Sequence, residues 1–509
     1  MNFLTQKFFI LATLLLLLTA PKLSLTRTAD EWRTRTIFQL LTDRFAQTPG
    51  QENPQLCSDN TNEKELRHYC GGTFSGISSK LDYIKNLGCD AIWISPVVKQ
   101  IENETIFGVG WHGYWAQDIY QVNPHFGTAD DLKNFVTAAH NKDIWVMVDV
   151  VANHMGPQPN LTPRTDEYVK AYNPFNTIDD YHFYCPITNY NDQGNVEYCS
   201  LGAPDVPLPD LDTEHPAVVT ELNKWINWLV KEFNFDAIRI DTVRHVRHDF
   251  WDAFAKSSGV FSIGEIPSGD SGFVASYQGH IDSTLGYPLY FSLVNLYSNS
   301  GANMYGMRDI INNNRKFYND TRILGNFIDS HDQERFNHRT QDKVLTRNAL
   351  AFVLLMDGIP IIYQGVEQDF GGNPTGRDPF NREALWPSSY SQSTPTYQFI
   401  ANINAFRKVL PTSFYTSLSI EAWIDEHIYA FRKDKALIIT SNYGGNNPNR
   451  DLVIQGNGIW PVGDVLVNIV KCEEKITIDG YSNVPVKIDG EPKVLYPANS
   501  LKGSRICGL

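Results

Sequence analysis

Eight short apolar runs recur along the chain, near residues 37, 91, 144, 236, 261, 281, 324 and 359, and each turns polar at its C-terminal end. Between them lie stretches with helical periodicity. In residues 127–143, Thr128 is placed as an N-cap with Asp131 in capping-box position, and Leu132, Phe135, Val136 and Ala139 repeat on one side. In residues 218–233, Leu222, Trp225, Ile226, Leu229 and Phe233 form one stripe. Apolar strands alternating with helices specify a parallel sheet covered on both faces. Eight such units predict an α/β fold of the (β/α)8 TIM-barrel kind.

Two regions break the alternation. Residues 156–212 are rich in Pro, Asn, Asp and Tyr and show no helix of useful length, which predicts an irregular subdomain inserted after strand 3. Beyond Pro411 the texture changes to short alternating strands with Gly/Asn turns, as an all-β sandwich domain requires. The expected layout is a leader at 1–26, a barrel from 27–155 and 213–411, the insertion at 156–212 and the β domain at 412–509. The sixth barrel strand is expected between Ile281 and Tyr290.

Lys7 followed by the apolar run Phe8 to Leu18 and the small residues Thr19 and Ala20 reads as a secretory signal. That run is shorter than the ~20 residues a membrane span needs. Pro21 disfavours a cut directly after Ala20, so cleavage is expected a few residues later. Cysteine usage agrees with an oxidising destination, extracellular or the lumen of a secretory or digestive compartment. Of seven cysteines, Cys57 with Cys70, Cys185 with Cys199, and Cys472 with Cys507 would close loops, leaving Cys89 as a buried apolar residue. N-glycosylation sequons stand at Asn103, Asn160 and Asn319. A net charge of −14 argues against nucleic acid or an anionic membrane as partner. A monomer is the expected state.

In a (β/α)8 barrel the active site lies at the C-terminal strand ends. Asp241, Glu265 and Asp332 occupy such ends, with Arg239, His112, His154 and His331 at neighbouring ones. Arg239 and Asp241 lie two residues apart on one strand and face the same way; the guanidinium favours the ionised acid. Alone, the pair is most simply a structural ion pair. Three carboxylates at one barrel mouth crowd like charges, which keeps one acid protonated beside an ionised one, the arrangement glycoside hydrolysis uses. No Gly-rich phosphate loop, Ser nucleophile elbow or zinc-ligand spacing competes.

The segments VDVVANH (148–154), FDAIRIDTVRH (235–245), GEI (264–266) and FIDSHD (327–332), in this order, resemble the motifs of the α-amylase family. LPDLD (208–212) is similar to its additional segment. TDRF, GYWAQDIY, GTADDLK, DGIPIIYQGVEQ and NREALW resemble the secreted fungal-type members in particular. The resemblance implies a secreted, retaining endo-hydrolase of α-1,4-glucosidic bonds in starch, glycogen and maltooligosaccharides. Asp241 would be the nucleophile, Glu265 the acid and then base, and Asp332 the transition-state stabiliser. Arg239 would hold Asp241 ionised, and His154 and His331 would bind sugar hydroxyls. Tyr114 would stack on the sugar at the cleavage point, with His112, Trp115, Asp378 and Arg382 on the non-reducing side. Arg244 and His245 would meet the leaving-group side, Arg244 standing where Lys is usual.

The resemblance also implies Ca2+, held by Asn153, Glu197, Asp210 and the main-chain carbonyl of His245, all hard oxygen donors. Two features depart from the family pattern. Gln333-Glu334 replaces the usual Asn after Asp332 and adds a negative charge, and no cysteine lies between Cys199 and Cys472, so a later-barrel disulfide is missing. Other readings are a maltooligosaccharide hydrolase or transglycosylase of the same family, and a non-catalytic amylase-like protein associated with a membrane transporter. The latter would carry a true membrane span and lack catalytic acids.

Overall fold

The computed structural model describes residues 27–509 except 160, 162 and 164. The leader and the Asn160 sequon therefore lie outside the described residues. Eight parallel strands form the centre: β1 (Ile37–Leu40), β2 (Ala91–Ile94), β3 (Trp145–Val150), β4 (Ala237–Ile240), β5 (Phe261–Gly264), β6 (Ser283–Thr284), β7 (Gly325–Asn326) and β8 (Ile359–Tyr363). They pair in the order β6-β5-β4-β3-β2-β1-β8-β7. A parallel bridge between Leu285 and Gly325, with the Gly286 amide donating to the Gly325 carbonyl at 2.7 Å, closes the ring. Every residue of β3, β4 and β5 is buried, so the polar members Asp149, Arg239 and Ser262 lie inside an otherwise apolar wall.

The sixth strand is shorter than the sequence suggests. Of Ile281–Tyr290 only Ser283 and Thr284 are strand, and Tyr287 already begins a helix. Pro288 stands in that helix's first turn, where its missing N–H has no bond to lose. β7 is equally short. A Cβ on Gly325 would meet the Ile263 and Ile361 side chains at 2.7 and 2.8 Å, so the barrel interior admits no side chain there.

Helix α1 (Ala129–Asn141) starts at the Thr128–Asp131 capping box. In residues 156–212 the longest helix among the described residues, α2 (Gln193–Tyr198), has six residues, and the Cys185–Cys199 disulfide braces the segment. Helix α3 (Pro216–Phe233) begins two residues before the expected start at 218 because Pro216 is accommodated in the first turn. It ends at Asn234 in the left-handed region (φ 56°). Cys57–Cys70 is a disulfide, and Cys89 is free and buried.

After the barrel, β9 (Ile420–Ile424), β10 (Ile428–Lys433), β11 (Ala436–Ser441), β12 (Arg450–Gln455), β13 (Val465–Asn468), β14 (Lys471–Thr477), β15 (Asn483–Ile488) and β16 (Lys493–Pro497) follow. Six of them pair in the order β9-β10-β11-β16-β13-β14, while β12 and β15 pair separately. Leu437, Ile439, Leu452, Ile454 and Val484 belong to one apolar core shared by both sheets. The Cys472–Cys507 disulfide ties the chain end to β14. Lys433 on β10 reaches Asp357 of the barrel at 3.2 Å, and Arg315 meets the same carboxylate at 2.8 Å. Both Lys433 and Asp357 are buried, so this junction is a desolvated charge cluster. Among the described residues no helix is long and apolar enough to cross a membrane.

Candidate active site

Arg239 sits on β4 directly opposite Asp149 of β3 and is completely buried. Its Nη1 donates to Asp241 Oδ1 at 2.7 Å and to both Asp149 oxygens at 2.9 and 3.1 Å. Its Nη2 lies 3.1 Å from Glu265 Oε2. The strand-end pair is thus a cluster of one guanidinium and three carboxyls drawn from β3 and from the ends of β4 and β5. Asp149 is the member that sequence reasoning missed. Its only signal was an acid inside the apolar run WVMVDV, where an unpaired carboxylate would not be tolerated.

Asp149 and Glu265 take further donors. Trp93 Nε1 and the Tyr114 hydroxyl donate to Asp149 Oδ2 at 3.1 and 2.8 Å. The Thr242 amide donates to Glu265 Oε2 at 3.3 Å, and the Tyr287 hydroxyl to Oε1 at 3.2 Å. Across the barrel mouth Asp332 is one-third exposed, with Arg382 Nη2 3.0 Å from Oδ1 and His331 Nε2 3.1 Å from Oδ2. Glu334 turns away from Asp332 and pairs with Arg339 and Arg377 at 3.1 and 3.2 Å, so its extra charge is neutralised locally. The Gln333 main-chain carbonyl accepts from Asn381 Nδ2 at 2.8 Å.

The electrostatics correct one expectation. Arg239 was expected to lower the Asp241 pKa, but burial pushes this carboxyl well up; Arg239 opposes the shift, and Glu265, Asp149 and Asp332 add to it. Burial likewise pushes Asp149 up to about 6 against the pull of Arg239. One guanidinium cannot neutralise three carboxylates, so the cluster retains a shared proton. Burial lowers His154 and His245 to about 4 and holds His112 and His331 far below the ordinary imidazole value, so these rings are neutral.

The acids open on a cleft of two lobes that share Tyr114 and Asp332. The larger, about 490 Å³, carries Asp241, Glu265, His154, Arg244 and His245 together with Tyr190 and Pro267. The smaller, about 280 Å³, carries His112, Trp115, Asp378 and Arg382 together with Arg67 and Phe107. The Tyr114 and His331 rings are parallel with centroids 5.5 Å apart, and the His112 ring lies 5.7 Å from Tyr114. Arg244 donates to the Tyr190 carbonyl at 2.9 Å and lies against the Tyr190 and Phe273 rings. A hollow of about 570 Å³ at the opposite, N-terminal end of the strands is larger but holds none of these acids.

A family model described as the α-amylase catalytic domain matches residues 39–410, and one for α-amylase domain C matches residues 421–509. The chain belongs to the α-amylase family. It is 39% identical over 474 residues to an α-amylase of Saccharomycopsis fibuligera, with 92% of each chain covered. It is 38% identical over 488 residues to α-amylase 1 of Schwanniomyces occidentalis, covering 94% of this chain and 92% of that one. The solved structure of an α-amylase from Malbranchea cinnamomea superposes with a TM-score of 0.89 at 38% identity, covering 94% of this chain and all of that one. An α-amylase of Geobacillus thermoleovorans, solved in complex with acarbose, superposes with a TM-score of 0.77 at 28% identity, covering 91% and 98% of the two chains.

The segments that carry the oxygen donors expected to hold a cation adjoin one another where the insertion returns to the barrel. His154 and Asp210 form a backbone bridge, and the Leu211 amide donates to the Asn153 carbonyl at 2.9 Å. Asp210 is buried, and its Oδ1 has no hydrogen-bond partner among the described residues, which fits a carboxylate oxygen reserved for a cation. Gln193 on α2 donates to Glu197 at 2.9 Å and to the Arg244 carbonyl at 2.6 Å, tying Glu197 to the turn before His245. Beside them His182, Asp212 and Glu214 bring one potential ligand atom each within 4.8 Å of one another, and His182 also bonds Asp210 Oδ2 at 2.7 Å. This second group is not legible in the sequence, because Asp212 lies in LPDLD while His182 and Glu214 belong to no motif.

Proposed function

We propose that this α-amylase is secreted and cleaves α-1,4-glucosidic bonds within starch, glycogen and longer maltooligosaccharides by double displacement at Asp241. One buried guanidinium that spans a nucleophile and an acid at the floor of an open cleft carries this reading. Arg239 keeps Asp241 and Glu265 side by side, in keeping with the separation of about 5 Å that a retaining mechanism uses. The sugar to be cleaved stacks on Tyr114, with its anomeric carbon before Asp241. Glu265 gives its proton to the glycosidic oxygen while Asp241 attacks, and the leaving chain departs past Arg244 and His245. Glu265 then takes a proton from water as the water oxygen attacks the anomeric carbon, which breaks the ester bond to Asp241 and releases the sugar with its α configuration. Asp332, His331 and His154 stabilise the developing positive charge and hold the ring hydroxyls. His112, Trp115, Asp378 and Arg382 bind the retained, non-reducing portion.

Asn153, Glu197, Asp210 and the His245 carbonyl would hold Ca2+. The ion would supply charge neutralisation that fixes the insertion to the barrel. None of these residues is a reacting group, so no proton transfer is assigned to the site. Glycans at Asn103 and Asn319 accord with the secreted reading, since both residues are exposed.

NMR of the first product released from a maltooligosaccharide should show the α-anomer, and a β-anomer would refute retention. Prolonged chelation should lower the melting temperature, and an unchanged value would count against the calcium site. Early release of long oligosaccharides from amylose is expected of internal cleavage. Maltose or glucose alone at early times would favour the small-oligosaccharide hydrolase.

A further inference from the structure

Gln39 on β1 is buried at the barrel mouth, and among the described residues its side chain hydrogen-bonds His331 and no acid of the site. Its Nε2 lies 2.7 Å from His331 Nδ1, and its Oε1 has no partner among the described residues. We propose that Gln39 is a positioning residue: its amide fixes His331 as the tautomer with hydrogen on Nε2, aimed at Asp332 and the sugar.

The hydrogen-bond polarity around the ring leads to this. His331 Nε2 faces the Tyr114 oxygen at 2.8 Å and Asp332 Oδ2 at 3.1 Å. The Tyr114 hydrogen is committed to Asp149 Oδ2 at 2.8 Å, so its oxygen offers His331 only lone pairs, and an ionised Asp332 offers nothing else. Two acceptors on one side require that Nε2 carry the hydrogen. Burial, with Arg382 and Arg239 nearby, keeps the ring uncharged, so there is one hydrogen to place. Nδ1 is then a bare, buried acceptor that needs a donor. Of the Gln39 amide, only the NH2 group can serve.

Hydrogens therefore point one way along the chain from Gln39 to His331 to Asp332, while Tyr114 points to Asp149. Removing the amide leaves Nδ1 unpaired and makes the other tautomer competitive. That tautomer turns a lone pair from Nε2 toward the Asp332 carboxylate, and a hydrogen bond that strengthens in the transition state is lost.

This inference rests on the reading that His331 binds the sugar, and the two are tested separately. In protein labelled with 15N at histidine, the His331 resonances are those absent from His331→Asn. In substrate-free wild type they should report hydrogen on Nε2 and a bare Nδ1. Gln39→Met, close in volume, should give a mixed tautomer and lower kcat by about ten-fold with little change in KM. Gln39→Glu sets an acceptor against Nδ1 and should produce an imidazolium signal at a pH where wild type is neutral. Hydrogen on Nδ1 in wild type, an unmoved signal in Gln39→Glu, or full activity and tautomer purity in Gln39→Met would overturn the proposal. The wild-type spectrum decides even where a variant fails to fold. Full activity in His331→Asn would instead defeat the sugar-binding reading and leave the tautomer result standing.

Discussion

Arg239 and Arg335 are both fully buried guanidiniums near the C-terminal ends of barrel strands, and both hold carboxylates, yet only the Arg239 cluster opens on a cleft. Arg335 binds Glu383 Oε2 through Nε at 3.0 Å and Nη2 at 2.7 Å, stands 3.8 Å from Asp329 and donates to the Gln364 carbonyl at 2.8 Å. The Gly372 amide occupies the other Glu383 oxygen at 2.7 Å. Asp329 and Glu383 are each 2% exposed, so this cluster is sealed. Arg239 instead faces three carboxyls, and a fourth, Asp332, lies across a cleft open to solvent. A buried Arg–carboxylate contact therefore does not by itself mark a catalytic site. Surplus negative charge together with an opening does, because the surplus keeps a proton to give and the opening admits something to receive it.

The comparison can be broken at either cluster. The largest effect is expected from Asp241→Asn, with kcat down on the order of 10⁴-fold and the melting temperature unchanged or raised, since one repelling charge is removed. Substantial residual turnover would place the nucleophile elsewhere. Next in size is Arg335→Met, which strands Asp329 and Glu383 in the interior; denaturant unfolding should show a loss of about 3–5 kcal/mol. Its folded fraction should turn over normally, and a specific loss of kcat would put Arg335 in the catalytic machinery. Asp149→Asn should reduce kcat by roughly 10- to 100-fold, because it changes how Arg239 and Tyr114 are held without removing a reacting group.

The smallest effect is a pH dependence in the sealed cluster. Burial raises Asp329 to about 6, whereas an unfolded Asp titrates near ~3.9. The fold thus favours the protonated form, and this contribution is fully present below ~3.9 and fades as pH rises through about 6. Asp329→Asn is neutral at every pH, so it should gain on wild type by roughly 2 kcal/mol between pH 4 and pH 8. Equal differences at both ends would mean that Arg335 already compensates the charge.

Much of this molecule was readable from the chain because the barrel writes each strand twice, as an apolar run and as a polar end. Asp241, Glu265 and Asp332 were visible for that reason. Asp149 was not, since it lies within its run and its partner is 90 residues away. Gln39 and Tyr287 were missed for a similar cause: each bonds a site residue far along the chain, and neither belongs to a motif. The sixth strand was overextended because the apolar segment near Leu285 to Tyr290 suits a buried strand and a buried helix equally, and Pro288 decided between them. The direction of the Asp241 shift was not legible because burial, its largest cause, is not written in the strand pattern, and Glu265, Asp149 and Asp332 add to it against Arg239.

The most direct test of the central claim is covalent trapping. Glu265→Gln protein would be mixed with an activated maltosyl fluoride whose ring fluorine slows breakdown of the intermediate, then digested and mass-mapped. One glycosyl unit esterified to the Asp241 side chain is the predicted result. An adduct on any other residue, or hydrolysis that proceeds with no adduct, would contradict the account.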